Sequence, residues 1–225
     1  MCGRFSLTTQ EDQIERLFNV EVDRRMYVPR YNGAPTQKLA VITNAEPSRL
    51  SFYRWGLVPH WASDPRVGAR MINARSETIL EKPAFRAAFR SQRCLVPSDG
   101  FFEWKRIAGG KQPYRFVMKD GLPFAFAGIW EEWKDGEDRP LHTFSILTTA
   151  ANALMAEVHD RMPVILPREA YMPYLHDEVN EAAALLKPFA EDAMMSYPVS
   201  SLVNSARNDS PEILLPAKTG NAELF

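Results

Sequence analysis

A cysteine stands at position 2, directly after Met1. Cysteine is small enough to permit methionine removal, and that step would leave the thiol and the α-amine of Cys2 two carbons apart. Unperturbed, the amine titrates near about 8 and the thiol near about 8.5, so both partly reach their nucleophilic forms around neutral pH. A 1,2-aminothiol traps aldehydes. The amine condenses to a Schiff base, and the sulfur then closes a five-membered thiazolidine. The other use is hydrolytic: the thiol attacks a carbonyl and the amine serves as base. The bland alternative is a frayed position 2 with no role, and a chain that keeps Met1 has no free aminothiol. Cys94, in the apolar run RCLVP, reads as a small buried core residue instead.

Three further segments carry candidate groups. Glu103 lies in FFEWKR, where a period of 2 puts Phe102 and Trp104 on one face and Phe101, Glu103 and Lys105 on the other. A carboxylate among three aromatics is expected to be partly desolvated, which raises its pKa toward that of a general acid; an exposed glutamate paired with Lys105 or Arg106 is the alternative. His159, in VHDRMPVIL, sits at a loop edge beside Asp160 and Arg161, an acid/base arrangement, although a histidine bonded to backbone for structure is the commoner outcome. Asn73 and Arg75, in MINARSE, offer a donor–acceptor amide and a planar fork suited to phosphate. Trp61, in WGLVPHW, follows a proline-bearing loop and is exposed to stack on a base, or else covers the core.

The elements that must position these groups are short. Thr8 and Thr9 before Glu11 and Asp12 resemble a capping box opening a helix with Ile14, Leu17 and Phe18. Strand-like runs follow at Leu39–Thr43 and Leu50–Trp55, then a helix over Ala84–Ser91. From there the pattern is β: Cys94–Val96, Phe101–Lys105, Tyr114–Met118, Phe124–Ile129 and Thr143–Leu147. The turn signals Asp99-Gly100, Gly109-Gly110, Asp120-Gly121 and Asp135-Gly136 separate these runs. Ala151–Val158 and Tyr171–Phe189 look helical, the latter interrupted by Pro173 and Pro188, and Met195–Val199 is a last strand. The expectation is an α+β single domain over 1–225, built round an antiparallel β-sheet or barrel with short flanking helices.

Composition bounds the function classes. With 225 residues and 45% hydrophobic content, the chain can bury a sizeable core without staples. Two cysteines exclude a disulfide scaffold, and four histidines leave little for a zinc site. The longest charge-free apolar run, Leu122 to Trp130, is nine residues against the ~18 that span a bilayer. MCGRFSLTTQEDQ has no apolar core for a secretory signal, so a cytoplasmic location is expected, with no membrane partner. Net charge is −1, but residues 66–106 hold nine basic and four acidic side chains. That marks either an anion-binding face or a solvated surface with chance clustering.

Taken together, these fragments resemble the SOS response-associated peptidase (SRAP) family. The matching segments are MCGRF, YNGAPTQ at 31–37, WGLVPHW at 55–61 and INARSET at 72–78. They continue with CLVPSDGFFEWK at 94–105, TTAAN at 148–152, HDRMPVIL at 159–166 and VSSLVN at 199–204. The match runs in order from Cys2 to about Leu215. The resemblance implies a sensor of abasic sites in single-stranded DNA that crosslinks through the N-terminal cysteine as a thiazolidine, shielding the lesion. It also implies a peptidase activity that removes the residue before that cysteine. By the same resemblance Cys2, Asn73, Glu103 and His159 match the active-site residues. Arg4, Arg75 and Arg161 match phosphate-contacting positions, and Trp61 and Trp104 match aromatics near the DNA. Gly33 departs from the pattern, where a bulkier residue is expected. No metal or cofactor is implied. The partner is abasic single-stranded DNA and the expected state is a monomer, nucleoid-associated if bacterial.

Three rivals stay open on sequence. An N-terminal-cysteine amidohydrolase, such as a glutaminase domain, also begins Met-Cys-Gly, but its usual Asn-Gly segments are not found here. A nucleic-acid-binding module in which Cys2 is incidental is the second. A thiol peptidase pairing Cys2 with His159 is the third.

Overall fold

The computed structural model describes residues 2–217; Met1, whose removal is expected above, and residues 218–225 lie outside them. In chain order the elements are β1 (Phe5–Leu7), α1 (Glu11–Phe18), β2 (Arg30–Gly33), β3 (Lys38–Thr43), β4 (Ser51–Trp55), β5 (Asn73–Arg75) and α2 (Arg86–Ser91). Then come β6 (Arg93–Ser98), β7 (Gly100–Ile107), β8 (Gly110–Met118), β9 (Phe124–Lys134), β10 (Pro140–Ala150) and α3 (Ala153–Ala156). The chain continues with β11 (Arg161–Pro163), β12 (Ile165–Leu166), α4 (Tyr171–His176), α5 (Val179–Ala184) and β13 (Met194–Pro198). The architecture is α+β.

Two sheets form. The smaller runs β13-β8-β7-β1-β2, all antiparallel. In the larger, β10-β4-β3-β6-β9 is closed by a further β9–β10 pairing, so five strands complete a ring that leaves no free edge among them. The expected antiparallel pairing dominates, with two parallel pairings within the larger sheet. β4 and β5 both lie parallel to β10, at Phe144↔Trp55 and Ile146↔Asn73. The ring is filled by aromatics, with Trp55 stacked on Phe144 at 6.2 Å. Phe5 and Phe101 of the smaller sheet reach the same cluster, each 5.8 Å from Phe126. The other face of the ring is covered by helices; Phe18 of α1 stacks on Tyr171 of α4 at 5.6 Å.

Local details differ from the sequence expectations. Thr8 and Thr9 do not cap α1, whose N-cap is Gln10 with no side-chain bond. Thr8 instead gives its hydroxyl and its backbone N–H to Asp99, and Ser6 Oγ donates to the same carboxylate at 2.6 Å. Asp99-Gly100 is thus an anchor for β1 rather than a plain turn. Pro173 does not break its helix, because it lies in the first turn of α4, where N–H groups have no intrahelical partner. The break comes at Asp177 and Glu178, both extended, and Pro188 lies beyond α5. Gly33 lies in β2; a Cβ there would sit 3.1 Å from the Phe5 carbonyl and 3.2 Å from Leu39, so the glycine permits close strand approach.

Candidate active site

The pairing of β1 with β7 sets the site. Phe5 faces Phe101, and the Phe102 N–H donates to the Arg4 carbonyl at 3.0 Å, so the residues before β1 run alongside β7 toward Glu103. Cys2 is fully buried at this end of the aromatic cluster. β5 approaches from the other sheet: Asn73 Nδ2 donates to the Cys2 carbonyl at 2.8 Å. Asn73 Oδ1 is buried and has no partner among the described residues. A buried acceptor without a donor costs free energy and marks a place where a ligand group or a new terminus can bond.

Glu103 is 3% exposed, which overturns the exposed-glutamate alternative. Phe101 of the same strand face joins the main cluster, while Phe102 and Trp104 pack with Val199, Val203 and Ile213, as the period of 2 requires. Burial pushes the Cys2 thiol well above its ordinary range, and the Glu103 carboxylate raises it further. The resting thiol is therefore protonated.

His159 follows α3 and leads into β11. Its Nδ1 accepts from the Arg161 N–H at 3.0 Å and lies 2.9 Å from Asp160 Oδ1. Glu103, Trp104 and His159 line one cleft of about 580 Å³. Its remaining walls carry Lys105, Arg106 and Lys111 on one side and Glu157 and Asp160 on the other. The cleft is large enough for a nucleotide or two. Among the described residues, no group of three or more His, Cys, Asp or Glu side chains is arranged to hold a metal, and no helix is long and apolar enough to cross a membrane.

The aromatic and cationic candidates divide. Arg4 donates to Asn32 Oδ1 at 2.7 Å and to the Val203 carbonyl at 2.6 Å, and lies 5.9 Å from the Trp104 ring centroid. Burial lowers its pKa. Trp104 Nε1 donates to Asn204 Oδ1 at 2.7 Å. Arg161 grips Glu77 in a two-point fork at 2.5 and 2.9 Å and donates to the Thr148 carbonyl at 2.7 Å. Arg75, two residues after Asn73 on the same face of β5, is exposed and has no ion-pair partner among the described residues. Trp61 is 61% exposed, beyond a turn in which Gly56 has φ +124°. A Cβ at Gly56 would lie 2.5 Å from the Gly68 carbonyl, so only glycine lets the Trp61 loop pack there. The basic segment 66–106 does not form one surface. Arg93 is buried, with its donors on the Leu175 and Asp177 carbonyls at the end of α4, and Arg66 pairs with Asp64.

Sequence reading missed Asn32. It is buried and bonds Arg4, Val203, Ser205 and Asn208 at once, strapping the C-terminal segment over β2 beside the N-terminus. It lies within the YNGAPTQ segment, and that was its only signal. Glu77, in INARSET, was likewise passed over.

The SOS response associated peptidase (SRAP) family matches residues 1–206. The chain belongs to that family. This SRAP chain is 45% identical over 221 residues to the abasic site processing protein YoqW of Bacillus subtilis (strain 168), covering 95% of this chain and 99% of that one. It is 34% identical to the abasic site processing protein HMCES of Gallus gallus, over 86% of this chain and 68% of that one. A crystal structure of a Bacteroides thetaiotaomicron protein shares the SRAP chain's α+β architecture, with a TM-score of 0.88 at 30% identity over 96% of this chain and 100% of that one.

Proposed function

We propose that this SRAP protein acts on abasic sites in single-stranded DNA and links to them covalently through Cys2 once Met1 is removed. The family membership and the names of the relatives support abasic-site processing. The observation that carries the chemistry is the convergence of the Cys2 backbone, the Asn73 amide and the Glu103 carboxylate beside a cleft that also presents His159.

The reaction would run as follows. The ring-opened sugar exposes an aldehyde at C1′. The Cys2 amine adds to it, giving a carbinolamine. Loss of its hydroxyl as water needs a proton, which Glu103 would supply and recover. The resulting iminium carries a positive charge two carbons from sulfur, and that charge opposes the upward push that burial and Glu103 give the thiol. The thiol proton then leaves, sulfur bonds C1′, and nitrogen keeps its remaining proton in the closed thiazolidine. The net change is aldehyde plus aminothiol to thiazolidine plus water. Asn73, already on the Cys2 carbonyl, would orient the amine through its unpartnered Oδ1. His159 would assist opening of the sugar ring. Arg4, Arg75 and Arg161 would face phosphates, and Trp61 and Trp104 the bases, as a lesion without a base calls for shape and backbone recognition. Action as a monomer, without a cofactor, belongs to the same reading.

An activated peptidase thiolate needs a depressed pKa, whereas Cys2 is pushed the other way. That argues against a Cys–His peptidase acting on other proteins. In the test, Cys2→Ala abolishes the denaturation-resistant complex with abasic single-stranded DNA, because both ring-closing atoms belong to Cys2. Cys2→Ser gives at most a weak adduct. A full-yield, heat-stable complex from Cys2→Ala would sink the mechanism.

A further inference from the structure

The geometry points to the β7–β8 hairpin as a phosphate-binding arm for the single strand, with Lys105, Arg106 and Lys111 as its cations. The inference rests on the abasic-DNA reading and adds a set of contacts to it. The hairpin extends from Glu103 to a Gly109 turn at φ +83°, and its far half is exposed. Arg106 faces Lys111 directly across the two strands. Cross-strand partners hold their Cβ atoms about 4.5–5.5 Å apart, and like charges so placed destabilise a hairpin. Among the described residues, none of the three cations forms an ion pair within the hairpin or beyond it. A shared anion would turn this repulsion into attraction: one phosphate can take both Arg106 and Lys111.

The third cation, Lys105, follows Glu103 on the same strand face, while Arg106 and its cross-strand partner Lys111 occupy the other face of the hairpin, beside Trp104. All three line the cleft that holds Glu103 and His159. The opposite wall bears Glu157 and Asp160, which repel a backbone. The cleft is therefore polarised across its width. Phosphates are drawn to the hairpin's cations and away from Glu157 and Asp160. Two neighbouring phosphates, one on Lys105 and one on the Arg106–Lys111 pair, fit this arrangement.

The test compares the full chain with K105Q/R106Q/K111Q and with a charge-matched control, K82Q/R86Q/R90Q. The control residues lie on and just before α2, whose Ala88 and Phe89 pack on the helix-covered face of the ring. Equilibrium binding to undamaged single-stranded DNA is measured from low to high salt. The hairpin variant should bind more weakly, and its slope of log affinity against log salt should flatten by about 1.4, at ~0.7 for each of two lost phosphates. The single variant K105Q should flatten it by about 0.7, so the test survives if the triple variant fails to fold. The control should keep the parental slope. A parental slope in both hairpin variants, or an equal loss in the control, overturns the inference. If the parent forms no adduct with abasic DNA while the hairpin variants still flatten the slope, the chemical reading fails and the arm stands.

Discussion

Asn73→Ala separates positioning of the nucleophile from support of the fold. The substitution removes the 2.8 Å bond to the Cys2 carbonyl and leaves that buried acceptor without its donor, at a cost of about 1–3 kcal/mol. It also deletes Asn73 Oδ1, itself a buried acceptor without a partner among the described residues, which relieves a penalty of similar size. The pairing of β5 with β10 uses backbone and survives. The two effects offset, so global stability should change by about 0–1 kcal/mol, or no more than ~4 °C in Tm for a chain this long. Adduct formation has no such offset. The bond that fixes the Cys2 backbone contributes about 1 kcal/mol, and an Oδ1 contact to the amine N–H as the nitrogen turns cationic on addition adds about 1.5–3 kcal/mol. Their loss should slow single-turnover crosslinking by roughly 50- to 1,000-fold, since 1.4 kcal/mol is tenfold. The assay is a quenched time course with saturating abasic single-stranded DNA beside a thermal melt. Crosslinking at the parental rate would refute the positioning role. A Tm fall of more than about 8 °C with a matching loss of binding would show Asn73 to be structural.

Glu103→Gln keeps shape but removes the charge and the transferable proton. Adduct formation should slow by about 100- to 10,000-fold, while alkylation of Cys2 at fixed alkaline pH should speed up, because one of the two influences raising the thiol is gone. Equal rates in both assays would contradict this. Glu131 is buried, and burial raises its carboxyl above the usual range despite His60 Nδ1 at 3.4 Å. A carboxyl raised by folding contributes stability that is whole below its unfolded value, about 4.3, and lost as pH climbs through the raised folded value. Glu131→Gln should therefore gain Tm on the parent as pH goes from 4 to 8, and a pH-independent difference would refute the assignment. Trp61→Ala should leave Tm nearly unchanged, the ring being 61% exposed, and should weaken single-strand binding by about 1–3 kcal/mol if a base stacks there. Unchanged affinity would remove Trp61 from the DNA path.

Much of the fold was legible because its strands are aromatic and β-branched runs cut by Gly turns; the cores of β6 to β10 lie where the pattern put them. What escaped were pieces too short to show a period: β1, β2, β5, β11 and β12 run from two to four residues and exist only by pairing with longer strands. These same pieces carry the site. Cys2 precedes β1, Asn73 opens β5 and His159 precedes β11, so the residue types could be named from sequence while their meeting could not. Ring closure through β9 and β10 is likewise a long-range pairing without a local signature. The Thr8 and Asp99 contacts show how one motif admits two outcomes. A threonine ahead of an acidic first turn can cap a helix, and here a carboxylate about 90 positions away takes it instead.

The most direct test of the central claim is the intact mass of the purified protein, alone and after incubation with an abasic single-stranded oligonucleotide. The protein alone should be one methionine lighter than the encoded chain. The complex should weigh the sum of protein and oligonucleotide less one water, and that species should be absent with an undamaged oligonucleotide and in Cys2→Ala. A protein that retains Met1, or a denatured sample in which protein and abasic DNA separate at their individual masses, would contradict covalent capture through Cys2.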